Sequence, residues 1–163
     1  MELFTSFEGR ISRKSFWIGI LGIGLISLVL AFGIYPLLSS GGIVLMLAQL
    51  ILTIAIFYLW SAVLIKRLHD RDKSAVPWAI IFMGPSAIMS LMSIFRIDYT
   101  AMDLAGTTLM VPGAIAMGVT WISTAVSLWM IVELGFLKGT PGQNRFGMNP
   151  LAGPDGVPEG SSV

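Results

Sequence analysis

The residues best equipped for chemistry in this 163-residue chain gather in one run, Lys66-Arg67-Leu68-His69-Asp70-Arg71-Asp72-Lys73-Ser74, which holds the one histidine. General acid–base work would fall to His69 beside Asp70, but no nucleophile or paired carboxylate stands ready to complete a catalytic set. A metal would have to use His69, Asp70 and Asp72, and a lone imidazole with adjacent acids lacks the spacing of N/O metal sites. An oxyanion fits better. The guanidinium forks of Arg67 and Arg71, joined by Arg10 or Arg13 and by Arg145, suit a phosphate or carboxylate bidentately. The plainer alternative is a set of charges that pair with one another and reach lipid phosphates at a membrane boundary. If the run is helical, Asp70 follows Lys66 by four positions and Arg67 by three and can pair with either, while His69 points elsewhere.

Glu133 is the other ionisable residue of interest, because it lies inside an apolar stretch. It precedes Lys138 by five positions, about 7 Å along a helix axis, so it belongs near a boundary rather than at a membrane midplane. The expected role is an interhelical ion pair with Arg67, Lys66 or Arg13. A proton or cation relay would need more ionisable groups at depth. Gln49 is expected to hydrogen-bond between helices. The absence of cysteine excludes disulfides, thiolate metal sites and a cysteine nucleophile.

The elements that must position these residues are apolar. Hydrophobic residues make up 55% of the chain and charged residues 12%, and the mean hydropathy is +0.84, well away from soluble averages. Four nearly charge-free runs, about 16–38, 43–65, 76–95 and 111–137, have the ~20 residues a helix needs to cross ~30 Å of hydrocarbon. They do not alternate polar with apolar, which argues against barrel strands. Ser39-Ser40-Gly41-Gly42 reads as a tight turn between the first two helices. Ser74 is expected to cap the third helix, with Pro77 in its first turn, and Pro112 to play the same part in the fourth. Pro85 should kink the third helix, with a water or a neighbouring serine, Ser86, Ser90 or Ser93, satisfying the freed carbonyl. Ala114/Gly118, Ser123/Ser127 and Ser86/Ser90 are small-residue pairs suited to close helix approach, as are Gly19, Gly22 and Gly24. Trp17, Trp60, Trp78, Tyr58 and Phe16 read as an interfacial belt. Residues 1–150 form one membrane domain, and 151–163 read as a disordered tail rich in Gly, Pro and Ser.

Lys and Arg set the expected orientation. Nine of the ten flank one set of helix ends, and Arg96 alone falls on the other side, in a loop of about fifteen residues. By the positive-inside rule both termini are cytoplasmic. A signal peptide ending near Ala31-Phe32-Gly33 is the rival reading, but the apolar run is too long for one. This topology brings three segments to one face: the run from Lys66 to Ser74, Gly9-Arg10-Ile11-Ser12-Arg13 with Phe16-Trp17, and Asn144-Arg145-Phe146-Gly147 with Asn149-Pro150.

Those three ordered motifs resemble the bacterial membrane family called domain of unknown function 805, over roughly Phe7 to Pro150. Where the family has a small-residue turn and paired aromatics after the His-Asp pair, this chain has a more charged turn, Pro77 and a single Trp78. The resemblance implies a small inner-membrane protein and supplies no activity. The expected fold is thus an all-α integral membrane bundle of four transmembrane helices with both termini inside. The candidate anion, lipid-headgroup or structural cluster comprises Arg10, Arg13, Arg67, His69, Asp70, Arg71, Asn144 and Arg145. The expected function is non-enzymatic binding of lipid or protein through a basic cytoplasmic face. The alternatives are a subunit of a small transporter or channel, and an enzyme acting on lipid phosphates. Membrane lipids with anionic headgroups, a second copy of the chain or a membrane partner protein are the expected partners. No cofactor, metal or nucleic acid is expected.

Overall fold

A computed structural model describes residues 3–39, 42–104 and 106–152. Among these, four helices are long and apolar enough to cross a membrane: Arg13–Leu38, Ile43–Asp70, Ala75–Ile94 and Ala114–Phe136. The first starts at Ser12, whose hydroxyl accepts the Ser15 amide N–H at 3.3 Å, satisfying one of the donors a helix start leaves open. It runs as α-helix to Val29, passes through a π-helical stretch, Leu30–Ile34, and resumes over Tyr35–Ser39. The fourth also ends in π-helix, Ile131–Phe136. Successive helices pack on one another, and the π-helical end of the fourth returns to the first. Of the turn expected at 39–42, Ser40 and Gly41 lie outside the described residues, as does the expected tail from Gly153 onward.

The second helix runs five residues beyond its expected end at Ile65, so Lys66, Arg67 and Asp70 are helical. The fourth starts later than expected because Val111 and Pro112 belong to a strand. The anticipated loop beyond Phe95 is an antiparallel hairpin, in which β1 (Tyr99–Leu104) pairs with β2 (Thr107–Pro112) and Tyr99 faces Pro112. The molecule is therefore mostly helical rather than all-α. A two-residue connection with Gly106 at φ +80° closes the hairpin, a conformation open to glycine at little cost.

Two caps differ from expectation. Ser74 occupies the cap position of the third helix without a side-chain cap bond. The fourth helix begins after Gly113, which has no side chain to cap with, and Asp98 substitutes: its Oδ2 accepts the Ala116 N–H at 2.8 Å. A carboxylate there also meets the positive end of the helix dipole. In the third helix Pro85 lies inside the assigned helix, and Ser90 donates to the Ser86 carbonyl at 2.9 Å, not to the carbonyl of Ile81 that the proline frees.

The buried core sits at one end of the bundle. It joins Ile11, Phe16, Ile23, Val63, Leu64 and Leu68 to Phe82, Met130 and Leu134, and in the second helix only positions from Ala62 onward are buried. Toward the other end large apolar side chains such as Phe32, Val44, Ile51 and Trp121 are exposed, as suits helix faces solvated by lipid. Phe16 is wholly buried and so does not belong to an interfacial belt. Trp78 packs edge-on against Trp129, with Lys73 Nζ 3.8 Å above its ring. Among the expected small-residue contacts, Ala114 and Gly118 are exposed, with open space at Gly118. Gly19 does sit at a close approach: a Cβ there would lie 3.0 Å from both Val63 methyl carbons. Gly19→Val is expected to part the first two helices at a cost of about 1–3 kcal/mol, read as a lower thermal midpoint in detergent, with Gly24→Val, which meets open space, as the matched control.

Candidate functional site

The end that holds the core also holds the three polar motifs, and their residues bind one another. Asp70 lies at the centre. Its Oδ1 accepts from Arg10 Nε at 3.1 Å and Nη2 at 3.0 Å, and its Oδ2 accepts from Arg67 Nη1. Both guanidiniums are sequestered, with side-chain exposure of 1% for Arg10 and 0% for Arg67. Arg10 has five N–H donors, and the remaining three reach main-chain oxygens: Thr140 at 2.8 Å, Gly142 at 2.8 Å and Gly147 at 3.1 Å. Arg67 donates to the carbonyls of Leu134 at 2.7 Å, Leu137 at 2.7 Å and Ile11 at 3.4 Å. Two cations flanking one carboxylate, with all but one of their other protons on carbonyls, meet the condition under which buried charge is tolerated.

The carbonyls that these arginines reach identify what the cluster does structurally. A helix leaves its last carbonyls without partners, and a π-helical end is no exception. At the end of the fourth helix, five consecutive carbonyls each accept from a side chain on another segment. Arg71 Nη1 serves Glu133 (3.1 Å), Arg67 Nε serves Leu134, Trp17 Nε1 serves Gly135 (3.2 Å), Arg13 Nη1 serves Phe136 (3.3 Å) and Arg67 Nη2 serves Leu137. The Trp17 ring needs Gly135 bare, since a Cβ would stand 2.8 Å from Cζ2. Glu133 pairs with Arg71 at 3.0 Å and with Lys73, not with the Arg67, Lys66 or Arg13 expected. Arg67 and Arg13 are held by other partners and Lys66 lies beside the N-terminal segment with Glu8 and Gly9, whereas the turn after Asp70 carries Arg71 and Lys73 to the fourth.

The second helix ends the same way. Thr140 donates its amide N–H (2.8 Å) and its hydroxyl (3.1 Å) to the Asp70 carbonyl, and Asn144 Nδ2 donates to the His69 carbonyl at 2.9 Å. Each residue of Asn144-Arg145-Phe146-Gly147 thus has a task. Asn144 caps; Arg145 pairs with Asp72 at 3.1 Å; Phe146 stacks on His69, ring centroids 3.8 Å apart and nearly parallel. Gly147, at φ +126°, turns its carbonyl to Arg10. His69 Nδ1 lies 3.2 Å from the Gly9 carbonyl. The three side chains weighed as metal ligands therefore face three ways: His69 to Phe146, Asp70 to Arg10 and Arg67, Asp72 to Arg145.

Of the candidate cluster, Arg10, Arg67, His69, Asp70 and Asn144 come together around the end of the second helix. Arg71 departs toward Glu133, Arg13 toward Phe136, and Arg145 to an exposed pair with Asp72. Thr140 and Trp17 are site residues that the sequence does not single out. Trp17 reads as part of an aromatic belt, and nothing in the sequence marks a lone threonine as the partner of a carbonyl 70 positions away.

A four-span bundle closed at one end by a polar clasp is the architecture of a small multi-pass membrane protein. The chain belongs to the family described as Protein of unknown function (DUF805), whose model matches residues 4–148. It is similar to the "Uncharacterized protein YiiR" of Escherichia coli (strain K12), 31% identical over 145 residues covering 87% of this chain and 84% of the relative. It is also similar to the "Inner membrane protein YhaH" of the same strain, 27% identical over 158 residues covering 94% of each chain. No solved structure matches it significantly.

Proposed function

We propose that this chain is a non-enzymatic inner-membrane protein, both termini in the cytoplasm, whose clasped face holds anionic lipid headgroups. The observation that carries the reading is a corner of exposed cations beside interfacial aromatics. Arg13, Lys14 and Lys138 are all exposed, and Arg13 reaches the carbonyl of Phe136, a residue 62% exposed whose ring packs edge-on to Trp17 at 5.6 Å. Aromatic rings at headgroup depth with cations beside them favour anionic lipid. With Arg10 and Arg67 buried and committed to Asp70 and to main-chain carbonyls, the outer cations carry the interaction. Catalysis by the His69–Asp70 pair finds no support in a carboxylate committed to two guanidiniums. The relative named "Inner membrane protein YhaH" supports the compartment, and the distribution of Lys and Arg supports the orientation.

Each basic residue near an anionic surface contributes about 1 kcal/mol. Replacing Arg13, Lys14 and Lys138 together by Ala is therefore expected to weaken phosphatidylglycerol retention by about a hundredfold, measured by native mass spectrometry of detergent-purified protein, with phosphatidylcholine retention unchanged. Equal retention of phosphatidylglycerol by the variant would remove the basis for this function. The cytoplasmic assignment has its own check in the cysteine-less background. Asp103→Cys should react with an impermeant thiol reagent in intact cells, and Gln143→Cys only after permeabilisation.

A further inference from the structure

At the opposite end of the bundle, under the hairpin, lies a cavity of about 740 Å³, within the ~300–1,000 Å³ range of small-molecule sites. Its polar lining comes from Tyr35, Gln49, Ser93, Arg96 and Tyr99, and its apolar wall includes Ala31, Met46 and Ile94. These positions are graded by depth. Arg96 and Tyr99 lie beyond the end of the third helix at Ile94, while Gln49 is six residues inside the second helix from Ile43, roughly 9 Å along its axis.

Local structure shapes this space. The first helix is π-helical over Leu30–Ile34, which includes Ala31 and immediately precedes Tyr35, and π-turns occur frequently at functional sites. The Tyr35 hydroxyl is anchored 3.1 Å from Thr53 Oγ1. On the hairpin, Ala101 pairs with Met110, so Tyr99 and Met110 share the face that lines the cavity. The sequence predicts a bond between helices for Gln49. The bond found at this residue uses its main-chain carbonyl, from Thr53 Oγ1 at 2.9 Å, and the residue lines the cavity.

A guanidinium and phenol at the membrane boundary, an amide one to two turns deeper and an apolar wall between helices together match an amphiphile. We propose that this cavity binds an acyl-chain amphiphile with an oxyanion head, the head at Arg96 and Tyr99 and the chain against Ala31 and Met46. Arg forks suit both a carboxylate and a phosphodiester, so a fatty acid and a phospholipid share the required chemistry. The site lies across the membrane from the basic corner and does not depend on it.

The test uses the full-length protein in zwitterionic nanodiscs with two photoreactive probes, a diazirine-bearing palmitate and a diazirine-bearing phosphatidylglycerol, adducts being mapped by mass spectrometry. Saturable labelling of Ala31, Tyr35 and Met46, competed by the unlabelled amphiphile, is expected from at least one probe, and which one labels identifies the head. Half-saturation should shift about tenfold in Arg96→Gln and severalfold in Tyr99→Phe, two variants remote from the clasp. The proposal is overturned if labelling does not saturate and spreads equally over lipid-facing Phe32, Ile51 and Trp121, or if both variants label as the parent does.

Discussion

Arg67→Ala is expected to cost about 3–5 kcal/mol, the range found when one member of a buried ion pair is removed. The side chain is fully buried, and its loss strips partners from the carbonyls of Leu134, Leu137 and Ile11 as well as from Asp70. Unfolding titrations in mixed micelles would read the loss directly. Arg67→Lys should recover little, because one ammonium cannot reach acceptors on three segments in the geometry of a planar fork. Asp70→Ala should also be severe, since it leaves Arg10 and Arg67 without their counter-charge. The two losses should not add: each variant dismantles the same cluster, so the double variant should fall short of the sum by about 1–3 kcal/mol. Strict additivity would mean that the ion pair contributes nothing to the clasp.

The second large effect is expected at Gly139, a position with no charge and no part in any ion pair. An added Cβ there would overlap the Asp70 carboxylate and stand 2.9 Å from the Asp70 main-chain oxygen. Neither can yield, because two guanidiniums hold the carboxylate and Thr140 holds the carbonyl. Gly139→Val must therefore lift the 138–150 strap, at an expected cost of about 2–4 kcal/mol. Gly142→Ala, three residues on, is the informative contrast. Its φ of +69° disfavours a side chain, yet the space around it is open, so about 1–2 kcal/mol is expected. Comparable midpoints for the two variants would argue that the strap does not lie on Asp70.

Much of this molecule is legible in its residues because a bilayer restricts the choices so severely. Long apolar runs must be helices, and the crowding of Lys and Arg at one set of helix ends brings the three motifs together. The hairpin was less visible: Tyr99 to Pro112 is a short polar-apolar mixture whose turn signal is only Gly106, and its partner strand adjoins a helix that masks its start. The ion-pair partners were not legible either. Spacing along a helix gives Arg67 to Asp70, as found, but whether Glu133 meets Arg71 or Arg13 depends on how the turn after Asp70 is directed, which involves Asp72 at φ +57°. Least visible was the purpose of the charges. A run of Arg, His and Asp suggests ligand chemistry, whereas in the fold their first obligation is to the orphan carbonyls of two helix ends. Gln49 ran the other way, from an expected packing contact to a cavity wall.

The clasp makes one segment behave against its composition. Residues 138–148 are rich in Gly and lack helix or sheet ladders, yet the amides of Thr140, Asn144, Phe146 and Gly147 are all hydrogen-bonded. Hydrogen–deuterium exchange of the full-length protein in nanodiscs is the most direct measurement. Peptides covering 138–148 should exchange far more slowly than an unstructured chain and lose that protection in Asp70→Ala. Unprotected exchange of this stretch in the parent protein would contradict a clasp built from the three motifs.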